Sequence, residues 1–298
     1  MNATLSDCRC AIHDSTSPFV PPEASDDQGL PPCYIDHLPA DATTFAVEYE
    51  NIQECFLGGG WAAQLTAARG CLTRQNPSQP AVFLLGDSHA RSLKEGLEAA
   101  TYKEVLPAMW YGDANADRLR EIQGILQEEV RAGDVIWWVN RMGGEGGGQT
   151  AMDPSDMAQF EAGANLLYSL PVVQSGAAKL VIVEDWPALG GSSSSTRGEA
   201  SLCHLKHNLG VFPTACTVSY AAIQAGRAAA LGVINTMAGK PGVYVFNAAS
   251  YFCPQGVCDY NVPGRAASAY FDYGHLNPFG SHYLWPFMCN FMKTNGLH

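Results

Sequence analysis

Basic residues are scarce in this sequence: 17 lysines and arginines stand against 29 aspartates and glutamates, a formal net charge of −12. That deficit argues against a nucleic-acid partner and against docking on an anionic membrane surface. Charge of either sign is thin, at 15% of 298 residues, so Ser, Thr, Asn, Gln and Gly must make up much of the surface. Such a surface suits a protein that handles neutral polar substrates outside the cytosol. Long apolar runs are missing as well. No stretch approaches the roughly 18 residues a membrane-spanning helix needs. The opening "MNATLSDCRC" lacks the basic region and apolar core of a signal peptide. With 47% hydrophobic and 10% aromatic residues, the chain is nonetheless rich enough to bury a sizeable core.

Cysteine, by contrast, is plentiful. Ten cysteines, several at short spacings (Cys8/Cys10, Cys55/Cys71, Cys203/Cys216, Cys253/Cys258), read as a disulfide set from an oxidising compartment. Zinc would want paired C-x₂₋₄-C knuckles, and "CPQGVC" alone comes near that spacing. The expected location is therefore extracellular, periplasmic or in the lumen of the secretory pathway. The chain is expected to be a mature form or a lumenal domain cut from a longer membrane protein. One glycosylation sequon, "NAT" at Asn2, fits a glycoprotein but is weak evidence.

Two textures divide the chain. Residues 1–80 carry five of the cysteines and many turn formers, and predict an irregular, disulfide-tied extension with one short helix over Trp61 to Ala68. From Ala81 onward, apolar runs alternate with amphipathic segments. "AVFLLG", "EVLPAMWYG", "GDVIWWVN", "AKLVIVEDWP" and "GVYVFNAAS" read as strands, the second weakened by Pro107. The segments between them read as helices; in one, Leu119, Ile122, Leu126 and Val130 fall in register. "VSYAAIQAGRAAALGVINTMAG" reads as one helix, and the closing helix must kink or split at Pro286. This alternation predicts a three-layer, flavodoxin-like α/β domain over 81–298 with about five parallel strands. Functional loops then collect at the carboxyl ends of the strands.

One such end is "AVFLLGDSHARSL", where a buried strand runs into Gly-Asp-Ser-His. Alone, Ser88 reads equally well as the cap of the helix that follows. A serine is a weak nucleophile without a base, and "AYFDYGHLNPFG" supplies a candidate. Asp272 and His275 stand three apart there, so a carboxylate can hold one ring nitrogen while the other faces the crevice. Alone, that spacing also fits a surface turn. Together, in the order Ser, Asp, His at the two ends of an α/β unit, the residues point to an activated nucleophile.

"GDSHA" and "FDYGHLNPFG" resemble the SGNH (GDSL-like) hydrolase superfamily, and within it the SGNH domains that accompany glycan-modifying membrane acyltransferases. "CPQGVC" ahead of the second motif is similar to a Cys pair in that group. The resemblance implies Ser88 as nucleophile, His275 as general base and then acid, and Asp272 as its orienter. It implies an oxyanion hole from the Ser88 N–H, a glycine N–H and an asparagine side chain. Asn140, ending "GDVIWWVN", matches the asparagine. Gly112 is the best glycine, although its usual neighbouring motif is absent and Asn115 could substitute.

Asp87, His89 and Arg141 flank these positions and are candidates for substrate binding. Asp87 can equally brace its turn, and His89 can be structural. Arg141 can pair with Glu145 or Asp185. His204 and His207 form a possible metal pair without a third ligand, so no metal is expected. Trp137, Trp138 and Trp186 read as core. "GGEGGGQ" lacks the Lys-Ser/Thr of a phosphate-binding loop.

The expected activity is that of a serine-dependent O-acyl esterase or acyltransferase. Its expected partners are an O-acylated glycan or small ester and a membrane acyltransferase, with no cofactor. The alternatives are an SGNH domain that has lost turnover and binds glycans or a protein, and a secreted interaction protein defined by its cysteines.

Overall fold

A computed structural model describes residues 55–57, 61–101, 103–110, 115–143, 151–189, 217–263, 268–270, 272 and 274–297. Five parallel strands form the body of the sheet: β2 (Ala81–Gly86), β3 (Glu104–Trp110), β4 (Val135–Val139), β5 (Lys179–Glu184) and β7 (Val243–Asn247). A sixth, β1 (Phe56–Leu57), pairs with the far end of β3, giving the order β1-β3-β2-β4-β5-β7. Pro107 stands in β3 opposite Leu84 of β2, on a strand whose outer side β1 pairs only at Met109 and Trp110.

Alternation along the strands divides the core. Val82, Leu84, Trp137 and Val181 face one layer, built on α2 (Ser88–Ala100) and α9 (Pro278–Thr294). Phe83, Leu85, Ile136 and Trp138 face the other, built on α1 (Trp61–Leu72), α3 (Asn115–Glu129), α4 (Pro154–Tyr168) and α7 (Ala228–Ala238). Leu119, Ile122, Leu126 and Val130 are all buried there, and the three tryptophans lie in the core. The amino end of the sheet is tied by Asp134, whose buried carboxylate accepts from Arg74, Ala81 N and Arg131 N.

Three features depart from the sequence reading. The segment over residues 218–239 is two helices, α6 (Tyr220–Gly226) and α7, because Arg227 breaks the run to send its guanidinium inward. Pro286 stands inside α9, which runs unsplit from Pro278 to Thr294, so of the expected kink or split the split is absent. A two-stranded antiparallel ribbon, β6 (Thr217–Ser219) with β8 (Val257–Asp259), adds to the sheet's carboxyl side. Between β7 and β8 lie the short helix α8 (Ala248–Phe252) and the Cys253–Cys258 disulfide. Cys55–Cys71 ties β1 to α1, and Cys289 is also disulfide-bonded. No helix among the described residues is long and apolar enough to cross a membrane.

Candidate active site

The five main strands follow the order 2-1-3-4-5 when counted from β2. The chain therefore leaves β2 toward one side of the sheet and returns through β4 on the other, and a crevice opens outside their carboxyl ends. Gly86 closes β2 opposite Val139 of β4. Its φ of 151° and the lack of a side chain let the two strand ends meet; a Cβ would lie 1.7 Å from the Val139 carbonyl oxygen. Ser88 and Asn140 thus follow directly from paired residues.

The helix cap at this point is Asp87, not Ser88. Asp87 Oδ1 accepts from the His89 N–H at 2.8 Å and Oδ2 from the Arg141 N–H at 2.8 Å, so one buried carboxylate ties the nucleophile turn to the loop after β4. Burial pushes the proton affinity of Asp87 up; His89 and the two backbone donors pull it back. Ser88 is consequently the first residue of α2, its hydroxyl released from capping.

That hydroxyl reaches His275. Its Oγ lies 2.7 Å from His275 Nε2, and His275 Nδ1 lies 2.7 Å from Asp272 Oδ2. The turn holding this pair is built by Asp272 itself, whose Oδ1 accepts from the N–H groups of Gly274 (2.9 Å) and His275 (2.8 Å). Burial would raise the Asp272 carboxyl, but the His275 ring and the two backbone donors outweigh it and hold it below the usual aspartate range. In the tautomer that donates Nδ1–H to the carboxylate, Nε2 would turn its lone pair to the serine. Asn277 caps α9 two residues later, accepting from Gly280 N and donating to the Ser268 carbonyl. Helix α9 then crosses α2 so closely that Gly96 N donates to Ser281 Oγ at 2.9 Å, which carries the two distant motifs into one site.

Asn140 is 1% exposed, and neither its side-chain nitrogen nor its oxygen has a partner among the described residues. A buried amide left that way costs stability unless something else uses it. His89 is buried, with Nδ1 2.8 Å from Asp185 Oδ1 and its ring stacked on Trp186. Arg141 is half-buried beside the Asp87 bond. Gly112, Asn115's side chain, His204 and His207 lie outside the described residues. No cluster of His, Cys, Asp and Glu suited to a metal occurs among those described.

The sequence reading names Asp185 only as a partner for Arg141 and leaves Arg227 unremarked. Both are buried at the tip of β5, with Arg227 donating to the Asp185 and Trp186 carbonyls and its Nη2 3.6 Å from Asp185 Oδ2. A lone arginine in the apolar run "AGRAAALG" was the available signal.

The family model for the SGNH domain (fused to AT3 domains) matches residues 117–288. The chain belongs to the SGNH family. Its SGNH fold is similar to the periplasmic domain of a lipopolysaccharide acetyltransferase from Salmonella ser. Paratyphi A, at a TM-score of 0.57 and 15% identity over 86% of this chain and 96% of that one. Weaker similarity extends to a Streptococcus pneumonia protein named for platelet activating factor (TM-score 0.44, 12% identity, 87% of this chain and 100% of that one). It extends also to an extracellular lipase from Streptomyces rimosus (TM-score 0.34, 14% identity, 71% and 99%). At these identities the likeness is one of fold. No curated protein matches the SGNH chain in sequence.

Proposed function

We propose that this SGNH protein is a serine-dependent O-acyl esterase or acyltransferase that acts on an O-acylated glycan, O-acetyl being the favoured group, outside the cytosol. The observation that carries the reading is the 2.7 Å approach of Ser88 Oγ to His275 Nε2, with Asp272 behind the same ring. In the first step the Ser88 O–H proton passes to Nε2 while Oγ bonds to the ester carbonyl carbon. The carbonyl oxygen takes the electron pair. Its charge falls at the amino end of α2, where the Ser88 N–H has no intrahelical acceptor, and beside Asn140, whose amide has no partner among the described residues and can donate. We assign the third donor to Gly112, as the family pattern implies.

Collapse of this adduct breaks the bond to the sugar oxygen, which leaves with the proton held on His275. Ser88 now carries the acyl group. Water or a second sugar hydroxyl gives its proton to His275 and attacks the acyl carbon; the bond to Ser88 Oγ then breaks and His275 returns the proton to that oxygen. Water gives an esterase and a sugar gives a transferase. Asp87 and His89, both turned inward, hold the site in this reading rather than touch substrate; Arg141 is left as the substrate contact.

The AT3 association of the family and the disulfides support a membrane acyltransferase as partner and an extracellular or periplasmic location. The test is hydrolysis of p-nitrophenyl acetate by the wild type beside Ser88→Ala. The reading expects loss of all but background rate in the variant; equal rates would leave an SGNH domain that binds without turnover.

A further inference from the structure

Directly behind the Ser88–His275–Asp272 set lies a second acid–histidine pair that none of the steps above uses. Asp185 Oδ1 sits 2.8 Å from His89 Nδ1, and both groups are buried. Asp185 Oδ2 accepts from Met142 N at 3.3 Å, in the loop that follows Asn140, and faces Arg227 Nη2. The His89 ring stacks on Trp186 at 5.1 Å with 9° between planes. Trp186 Nε1 in turn donates to the Gly274 carbonyl at 2.7 Å. His89 also packs under that loop: a Cβ on Gly274 would lie 3.8 Å from His89 Nε2. Its ring centre is 5.1 Å from that of His275, tilted by 60°. The residue next to the nucleophile thus supports the histidine that serves it.

We propose that His89 is a positioning residue for His275: held as a cation by Asp185, it fixes the His275 loop from below and opposes protonation of the His275 ring. The proposal rests on His275 being the general base, as read above.

Charge balance supports the cationic state. Three buried carboxylates, Asp87 from its own turn, Asp185 just past β5 and Glu184 at its end, stand around one buried guanidinium, Arg227 from the junction of α6 and α7. Arg141 lies half-buried at the rim, and His275 with Asp272 closes the other side. Burial raises the proton affinity of Asp87 and Glu184, and a protonated His89 offsets the charge of Asp185 directly. Burial works against a charged ring here. Even so, Asp185, through its charge and its hydrogen bond, and Asp87 outweigh burial and raise the proton affinity of His89. Two positive charges on rings whose centres are 5.1 Å apart repel, and this is the contact through which a charged His89 acts on His275.

The experiment compares the wild type with His89→Gln, whose amide can still donate to Asp185 but carries no charge. The acid limb of the kcat/KM profile for p-nitrophenyl acetate is expected to move up by about one pH unit, while the alkaline plateau falls because the His275 loop loses its support. A merely structural His89 would lower the plateau or the folded fraction and leave the limb where it was. Alongside, ring ¹⁵N spectra of histidine-labelled wild type, with His89 identified by its contacts to the Trp186 ring, should show both His89 nitrogens protonated at pH 7. A neutral His89 ring at that pH overturns the proposal, and this arm holds whether or not the variant folds. If the wild type proves inactive, the esterase reading fails by itself while the spectra still decide the charge of His89.

Discussion

The Gly86 backbone lies against the Val139 carbonyl so closely that no side chain fits between them, and this contact fixes where the nucleophile and the buried amide stand relative to each other. Ser88 lies two residues past one partner and Asn140 one past the other. Gly86→Ala would push a methyl group into the Val139 carbonyl at a φ that side chains rarely adopt. We expect it to cost about 3 kcal/mol, read from the urea midpoint of unfolding.

Asn140→Ala separates a structural amide from a catalytic one. The side chain is buried and unpartnered among the described residues, so its removal forfeits no hydrogen bond and should leave the melting temperature within a few degrees. If it meets the developing oxyanion, kcat falls by about 10²–10³ with KM little changed. Steady-state kinetics on p-nitrophenyl acetate check both halves.

Asp272→Asn would reverse which ring nitrogen of His275 carries the proton, and kcat should drop by about 10³–10⁴. The same carboxylate contributes to stability. Its proton affinity is depressed in the folded protein, so its contribution is present above the ordinary aspartate range and fades as pH falls through the lower, folded-state value. Thermal melts of variant and wild type should therefore differ at neutral pH and converge in acid.

Glu184 shows the opposite sign. Burial raises its proton affinity, while donors from Gln224 and Tyr220 and the charge of Arg227 only partly offset this. Its favourable contribution belongs to acid pH and is lost as pH rises through the raised value. Glu184→Gln keeps the acceptor and drops the charge. It should stabilise the protein by up to about 1 kcal/mol at pH 8 and by almost nothing below the ordinary glutamate range, as chemical denaturation at both pH values would show.

Replacing Cys55 and Cys71 together by serine opens a loop spanning 16 positions. The expected loss is about 3 kcal/mol in the unfolding free energy, read from chemical denaturation.

Much of this arrangement was legible in the residues. The five long strands announce themselves as apolar runs between amphipathic helices, and parallel order follows from that alternation. Ser88, Asp272 and His275 stand out because GDSHA and the D-x-x-H spacing of FDYGHLNPFG fall in the order Ser, Asp, His at the two ends of an α/β unit. What escaped is of two kinds. β1, β6 and β8 are two or three residues long, too short for any periodicity to register. The Asp185–His89–Arg227 network is long-range: each member looks ordinary in its own segment, and only burial of all three beside one another makes them a unit. Arg227 is the instructive case, since its side chain's inward demand overrode an otherwise continuous helical pattern.

If His275 makes Ser88 an attacking group, brief exposure to a fluorophosphonate should mark that serine, as mass spectrometry of wild type and His275→Ala would reveal. One adduct is expected, on Ser88, formed at least about 10³-fold more slowly in the variant. An unlabelled wild-type Ser88, or labelling at an undiminished rate without His275, would contradict that role for the histidine.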